Sequence, residues 1–245
     1  MKTVIIIPAR WKSKRFPGKP LAKINNKELI HHVWDKANKV KNIDKVLIAT
    51  DDKRIANFCN QNHLEVIMTS KKCKTGTDRV FEVSKKINAD IYVNVQGDEP
   101  LVKPGNIEKI IVNLKKNISN GIDVSTGYTV IKKKQNKNFS NVYLIKSKKN
   151  EVIYVSRKEL PFIKSKNFNY FKHIGIFAFT KKSLNIFSNF GIGALEKSEN
   201  IELLRFIENN IKVTAVPIKE VGLAVDYKSD IKQIENYTKK RNRLI

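Results

Sequence analysis

Three short segments of this sequence combine the groups that bind phosphate and hard cations. Pro8-Ala9-Arg10 is followed closely by Arg15-Phe16-Pro17-Gly18-Lys19-Pro20. A loop leaving a buried strand presents backbone N–H groups, which phosphate needs because its charge is spread over several oxygens. Arg10, Arg15 and Lys19 add cations along that loop, and Gly18 lets the chain approach a ligand closely. The same residues also read as a basic surface loop turning at Pro17-Gly18. The second segment is Asn94-Val95-Gln96-Gly97-Asp98-Glu99-Pro100. A carboxylate just past a buried strand suits Mg²⁺, which takes one or two carboxylates together with substrate phosphates. Asp98 fits that role, with Gly97 keeping the strand end open; the alternative is a turn that caps the next helix. The third segment, Val225-Asp226, offers a second carboxylate, although an Asp ahead of Tyr-Lys-Ser reads equally as a helix cap.

Two further groups are weaker signals. Thr75-Gly76-Thr77-Asp78-Arg79 stands where a helix should begin, and free N–H groups there could meet an anion or the edge of a base. Arg157, His173, Glu199, Glu202 and Arg205 are scattered, yet they hold what a sugar acid requires: a planar cation for its carboxylate and polar groups for its hydroxyls. Each of them also reads as a surface or packing residue. His31, His32 and His63 have no metal-ligand spacing. Neither G-x-x-x-x-G-K-[ST] nor G-x-G-x-x-G occurs, which excludes a P-loop and a dinucleotide fingerprint.

The elements that must position these residues follow from hydrophobic periodicity. Thr3 to Ile7 is a continuous apolar run, as in a strand buried on both faces. Leu29, Ile30, Val33 and Ala37 mark one face of a helix over Glu28 to Val40. A strand over Lys45 to Ala49, a capped helix from Lys53 to Asn62, a strand at Glu65 to Met68, a helix from Thr77 or Asp78 to about Ile87 and a strand over Ile91 to Val95 follow. Strands alternating with helices of this length predict βαβ units and a parallel sheet, with ligands beyond the carboxyl ends of the strands. The loops at 8–20, 50–52, 69–79 and 96–100 all stand at such ends. Further on, strands are predicted at Val124 to Ile131, Val142 to Lys146, Val152 to Val155, Ile174 to Thr180 and Lys212 to Val216. Helices are predicted at Ser183 to Phe190, Glu196 to Asn209 and Ser229 to Lys240. The stretch 131–172 reads as an insertion that packs against a second subunit.

The bulk properties narrow the class. The chain has 245 residues, enough for one sizeable core, and no apolar run long enough to span a bilayer or to act as a signal peptide. Cys59 and Cys73 lack metal or redox spacing and read as free thiols in a reducing cytosol. The formal charge of +25 is spread along the chain in short runs such as Lys132-Lys133-Lys134. That pattern suits a solvated lysine-rich surface, and no nucleic-acid motif accompanies it. A basic nucleic-acid-binding protein without catalysis stays as the rival class.

Taken in order, IIIPAR, RFPGKPL, ATDD, TGTDR, NVQGDEP, SRKELPF, HIGIFAF, LEKSENIELLR and the late VD resemble the 3-deoxy-manno-octulosonate (KDO) cytidylyltransferases, also called CMP-KDO synthetases. The similarity runs over nearly the whole chain. It implies an α/β, Rossmann-like three-layer sandwich of the sugar nucleotidyltransferase type, with a mostly parallel sheet and an inserted dimerisation segment. It further implies a homodimer in the bacterial cytoplasm that makes CMP-KDO from CTP and KDO for lipopolysaccharide, with Mg²⁺ as cofactor and neither nucleic acid nor membrane insertion. By the same resemblance Arg10, Arg15 and Lys19 hold the CTP phosphates, and Pro8, Ala9, Thr75, Gly76, Arg79 and Gln96 lie at the nucleotide. Asp98 and Asp226 ligate the metal, and Arg157, His173, Glu199 and Glu202 line the sugar pocket; Arg10, Lys19, Asp98 and Asp226 are the catalytic set. Tyr143, Leu203 and Tyr227 depart from the family pattern. Those departures keep open a related acid, an 8-amino-KDO or a nonulosonate.

Overall fold

A computed structural model describes residues 1–131, 141–162, 164, 169–219 and 222–242. The chain divides into two compact units. The first comprises Lys2–Ile87, Asn94–Pro104 and Val221–Ile245, and the second Met1, Asn88–Val93 and Gly105–Glu220.

The first unit opens with β1 (Thr3–Ala9), a 3₁₀ turn (Lys19–Leu21), a short hairpin of β2 (Lys23–Ile24) and β3 (Lys27–Glu28), and α1 (Leu29–Ala37). It continues with β4 (Lys45–Thr50), α2 (Lys53–Gln61), β5 (Val66–Met68) and α3 (Gly76–Lys86). β1 pairs in parallel with β4, and β4 in parallel with β5. Val4, Ile5, Ile6 and Ile7 are wholly buried, as an apolar run with helices on its flanks requires. β1 runs two residues beyond its apolar stretch, because the fixed φ of Pro8 is compatible with extended backbone. α1 buries Leu29, Ile30, Val33 and Ala37, the face its periodicity specifies. The side chain of Asp52 accepts the N–H of Arg54 and caps α2. α3 begins with a reciprocal capping box between Thr75 and Asp78, two residues earlier than its apolar period announces.

The second unit takes up β6 (Ile91–Asn94), whose last residue returns the chain to the first unit. There follow α4 (Pro104–Asn117), β7 (Val124–Ile131), β8 (Tyr143–Lys146), β9 (Val152–Ser156) and β10 (Tyr170–Thr180). Then come α5 (Lys181–Asn189), α6 (Ala194–Glu199), α7 (Leu203–Glu208) and β11 (Val213–Pro217). The last element, α8 (Lys228–Asn242), belongs to the first unit. The strand order in the second unit is β11-β7-β10-β6. β11 is parallel to β7, whereas β10 is antiparallel to β7 with a register shift between Ile174 and Phe177. β8 pairs antiparallel with β10 and β9 with β8, so the described part of the 131–172 stretch is a hairpin laid on β10. The run Lys132-Lys133-Lys134 lies outside the described residues.

The sequence reading placed no helix on 104–117, where α4 forms. α4 buries Ile107, Ile110, Ile111 and Leu114, a helical apolar spacing that stands directly behind Pro104 at a position where proline is tolerated. The single helix expected over 196–209 is two, because Asn200 adopts a left-handed conformation (φ 53°) and ends α6. Both cysteines are free, and burial pushes both thiols up to about 12, with Glu82 adding to the effect at Cys73.

α6 and α7 are locked by an ion pair rather than by apolar packing alone. Arg205 donates to both carboxylate oxygens of Glu196, at 2.6 and 2.7 Å, and both side chains are 5% exposed. The guanidinium also stacks on Phe187, 3.7 Å from the ring centroid. Removing one member of such a pair strands a buried charge. Glu196→Gln should therefore destabilise the protein by about 3–5 kcal/mol, and Glu196→Met with Arg205→Leu should recover much of that loss in urea unfolding.

Candidate active site

The loop after β1 is shaped by its own backbone and by Trp11. The N–H groups of Ser13 and Gly18 both donate to the Trp11 carbonyl, at 2.9 Å each, which folds residues 11–18 into a compact turn. Gly18 has φ 73° and leads into the 3₁₀ turn, and a Cβ at that position would stand 3.0 Å from the Trp11 ring. Two separate constraints thus require glycine there. Arg54 stacks on the other partner of this loop, its guanidinium 3.6 Å from the Trp11 ring centroid, while it forms a two-pronged ion pair with Asp52. The Trp11–Arg54 stack has no signature at the level of sequence spacing, since the two residues lie on different elements.

The turn delivers Lys19 to the carboxylates. Its ammonium donates to Asp98 Oδ2 at 2.6 Å and to the Val225 carbonyl at 2.8 Å. The Val225 N–H in turn donates to the Asp98 carbonyl at 2.9 Å. Asp98 and the residue preceding Asp226 are therefore bound to each other and to Lys19. Asp226 accepts from Arg15 Nη2 at 2.6 Å, and Arg15 lies 5.4 Å from the Tyr227 ring. Arg10 is exposed and forms no ion pair among the described residues. Asp230, in the first turn of α8, accepts the N–H groups of Asp226 and Tyr227 at 2.8 Å each.

Gly97 sits against β1: a Cβ on it would be 2.6 Å from the Pro8 carbonyl oxygen, a backbone atom that cannot yield easily. Gly76, the first residue of α3, faces side chains instead, with Asn94 Nδ2 at 3.0 Å and the Pro8 ring at 3.6 Å from the position a Cβ would take. The Asn94 side chain is wholly buried there, and among the described residues neither of its amide atoms has a hydrogen-bond partner, a feature that the sequence did not single out. Arg79 is 3% exposed; it pairs with Asp51 at 3.4 Å and donates to the Thr69 hydroxyl, so it ties the loops after β4 and β5 together. Thr75 uses its hydroxyl in the capping box, and Gln96 is half-buried on the turn before Asp98.

The residues expected at a sugar pocket all lie in the second unit. Glu199 accepts the Ser156 hydroxyl at 2.6 Å and the Arg157 N–H at 2.9 Å. Arg157 donates through Nε to the Glu199 carbonyl at 2.8 Å, at the end of α6 where orphan carbonyls need donors. Glu202 precedes α7, and Arg205 is held by Glu196. Leu203 is wholly buried and Tyr143 is 6% exposed, so these two departures from the family pattern face the core. His173 is buried with Nε2 2.9 Å from the Thr126 hydroxyl, which also lies 2.9 Å from the Ile176 carbonyl. A threonine has one proton to give. With that proton on the carbonyl, Nε2 carries the imidazole proton and the ring is neutral.

Two carboxylates held on adjoining backbone segments and a glycine-containing loop rich in cations form an α/β site of nucleotidyltransferase character. The family model described as cytidylyltransferase matches residues 4–214. The mitochondrial 3-deoxy-manno-octulosonate cytidylyltransferase of Arabidopsis thaliana is 34% identical, over 98% of this chain and 84% of that protein. The 8-amino-3,8-dideoxy-manno-octulosonate cytidylyltransferase of Shewanella frigidimarina is also 34% identical, over 96% of this chain and 98% of that one. A solved structure of CMP:2-keto-3-deoxy-manno-octonic acid synthetase complexed with CTP superposes with a TM-score of 0.93 at 31% identity, covering 98% of this chain and 100% of that one. The chain belongs to the 3-deoxy-manno-octulosonate cytidylyltransferase family. Among the described residues no helix is long and apolar enough to cross a membrane.

Burial lowers His173 from 6.5 to about 4. Its stabilising contribution is complete above the unfolded value and is lost as pH falls towards the folded one. Between pH 6.5 and 4 the wild type should lose about 3 kcal/mol of stability through this one group, and His173→Gln should flatten that part of the urea-unfolding profile. At the strand end, Gly97→Ala should cost about 1–3 kcal/mol of stability in the same measurement, because its new methyl meets a backbone carbonyl.

Proposed function

We propose that this chain transfers CMP from CTP to 3-deoxy-manno-octulosonate and releases pyrophosphate. The observation that carries the reading is the Lys19 ammonium, held against Asp98 and the backbone of Val225 at the mouth of a phosphate-binding loop. In the reaction the anomeric hydroxyl of the sugar attacks the α-phosphorus in line, the bond to the β-phosphate oxygen breaks, and pyrophosphate departs. Arg10, Arg15 and Lys19 hold the triphosphate and neutralise the charge that grows on the leaving pyrophosphate. Asp98 and Asp226 are the oxygen donors for Mg²⁺, a donor set of the kind that this ion takes together with phosphates. When bound, the metal supplies Lewis-acid stabilisation of the α-phosphate and lowers the pKa of the attacking hydroxyl. Gly97 lets the turn before Asp98 pack against the Pro8 carbonyl, where a side chain would collide.

The acceptor is an octulosonic acid. Relatives named for KDO and for its 8-amino analogue match this chain at the same 34% identity, so the 8-amino acid is the second reading. Homodimerisation through the 131–172 stretch, a cytoplasmic site of action and a place in lipopolysaccharide synthesis are parts of the same proposal.

Purified protein should release pyrophosphate from CTP only when an octulosonic acid and Mg²⁺ are both present. Release with 8-amino-KDO and none with KDO would move the assignment to the second reading. Silence with every sugar acid would overturn the transferase assignment. Asp98→Asn should lower turnover about a hundredfold or more while CTP still binds, and near-wild-type turnover would remove Asp98 from the metal site.

A further inference from the structure

Each carboxylate assigned to the metal is held by a cation assigned to the triphosphate. Lys19 pairs with Asp98 at 2.6 Å and Arg15 with Asp226 at 2.6 Å. The four groups sum to zero charge, and Arg10, Lys12 and Lys14 are the remaining cations of the loop. The Lys19–Asp98 pair is the more protected, with side chains 14% and 31% exposed, whereas Arg15 is 50% exposed. An ion pair partly withdrawn from water is harder to break than one at the surface.

We propose that CTP and the divalent cation enter this site by exchanging these partners, so that each binds weakly alone and strongly with the other; the proposal rests on the reading given under the proposed function. A triphosphate arriving without a cation can take Lys19 only by leaving Asp98 uncompensated beside several new negative charges. Lys19 then contributes little net affinity. A cation arriving alone must displace Lys19 and Arg15 and leave two positive groups next to its own charge. When both arrive, the carboxylates pair with the cation and the freed ammonium and guanidinium pair with phosphate, and every charge again has a partner. The coupling is a property of the ion pairs and must be reciprocal between the two ligands.

The test is calorimetric titration of the full chain with CTP, once in EDTA and once in Mg²⁺, with no sugar present so that CTP is not consumed. Lys19→Met should weaken CTP binding by about tenfold or more in Mg²⁺ and by less than about threefold in EDTA, a split within the usual range of coupling between two ligands. An equal loss in both buffers overturns the exchange, because Lys19 would then contribute the same whether or not Asp98 needs it. Arg15→Met, at an exposed position, should show the same split to a smaller extent. Asp98→Asn should bind CTP about tenfold more tightly than the wild type in EDTA, since its Lys19 is already released. Unchanged or weaker binding there also overturns the exchange. Binding of CTP by the wild type in Mg²⁺ with no such splits would sink the exchange and leave the transferase reading standing, whereas no binding in either buffer would sink both.

Discussion

The ammonium of Lys19 holds the first unit's ligand end together. It reaches Asp98 on the turn after β6 and the Val225 carbonyl ahead of α8, and so joins three stretches of chain that are far apart in sequence. One charged group can do this because the rest of the geometry is rigid around it. The Trp11 carbonyl closes the turn that carries Lys19, Gly18 permits that turn, and the Val225 N–H fixes its segment to Asp98 directly. Below this, Phe16, Ile24, Leu29, Leu101, Val225, Ile231 and Ile234 form an apolar cluster under the same segments. The polar contacts thus sit on a packed floor, which keeps their lengths short and their partners few.

A different balance governs the second unit. There ionic groups pair with one another and with the backbone. Glu196 and Arg205 lock α6 to α7, and Glu199 and Arg157 finish the end of α6 against β9. Burial opposes the charged form of His173, whose Nε2 lies 2.9 Å from the Thr126 hydroxyl. These arrangements raise the rigidity of the unit at the cost of desolvated polar groups. A lysine-rich chain needs such anchors, because its abundant cations otherwise favour exposure over packing.

Close approach shapes the end of β1. Gly97 brings the turn before Asp98 against the Pro8 carbonyl, and Gly76 lets α3 pack on the side chains of Asn94 and Pro8. The buried amide of Asn94 lies in the same cluster, without a hydrogen-bond partner among the described residues. Arg79 joins Asp51 to Thr69 and ties together the loops after β4 and β5.

Local physical chemistry made much of this protein legible in its sequence. The apolar run at β1, the one-sided face of α1 and the capping residues of α2 and α3 each follow from neighbours a few positions away. Parallel βαβ order then puts the loops with Arg10, Lys19 and Asp98 at strand carboxyl ends, as the sequence also implied. The apolar periodicity of α4 is also present in the sequence, whereas the break at Asn200 depends on a single backbone conformation. The partners of charged side chains were decided only by tertiary structure. Nothing in the spacing of Arg157, Glu199, His173 and Arg205 distinguishes a pocket from a core, because a charge responds to what lies within a few ångströms in space and not to its neighbours along the chain. For the same reason the sequence could assign Lys19 to phosphate and Asp98 to metal, but only the folded chain shows that, with neither present, each is the other's partner.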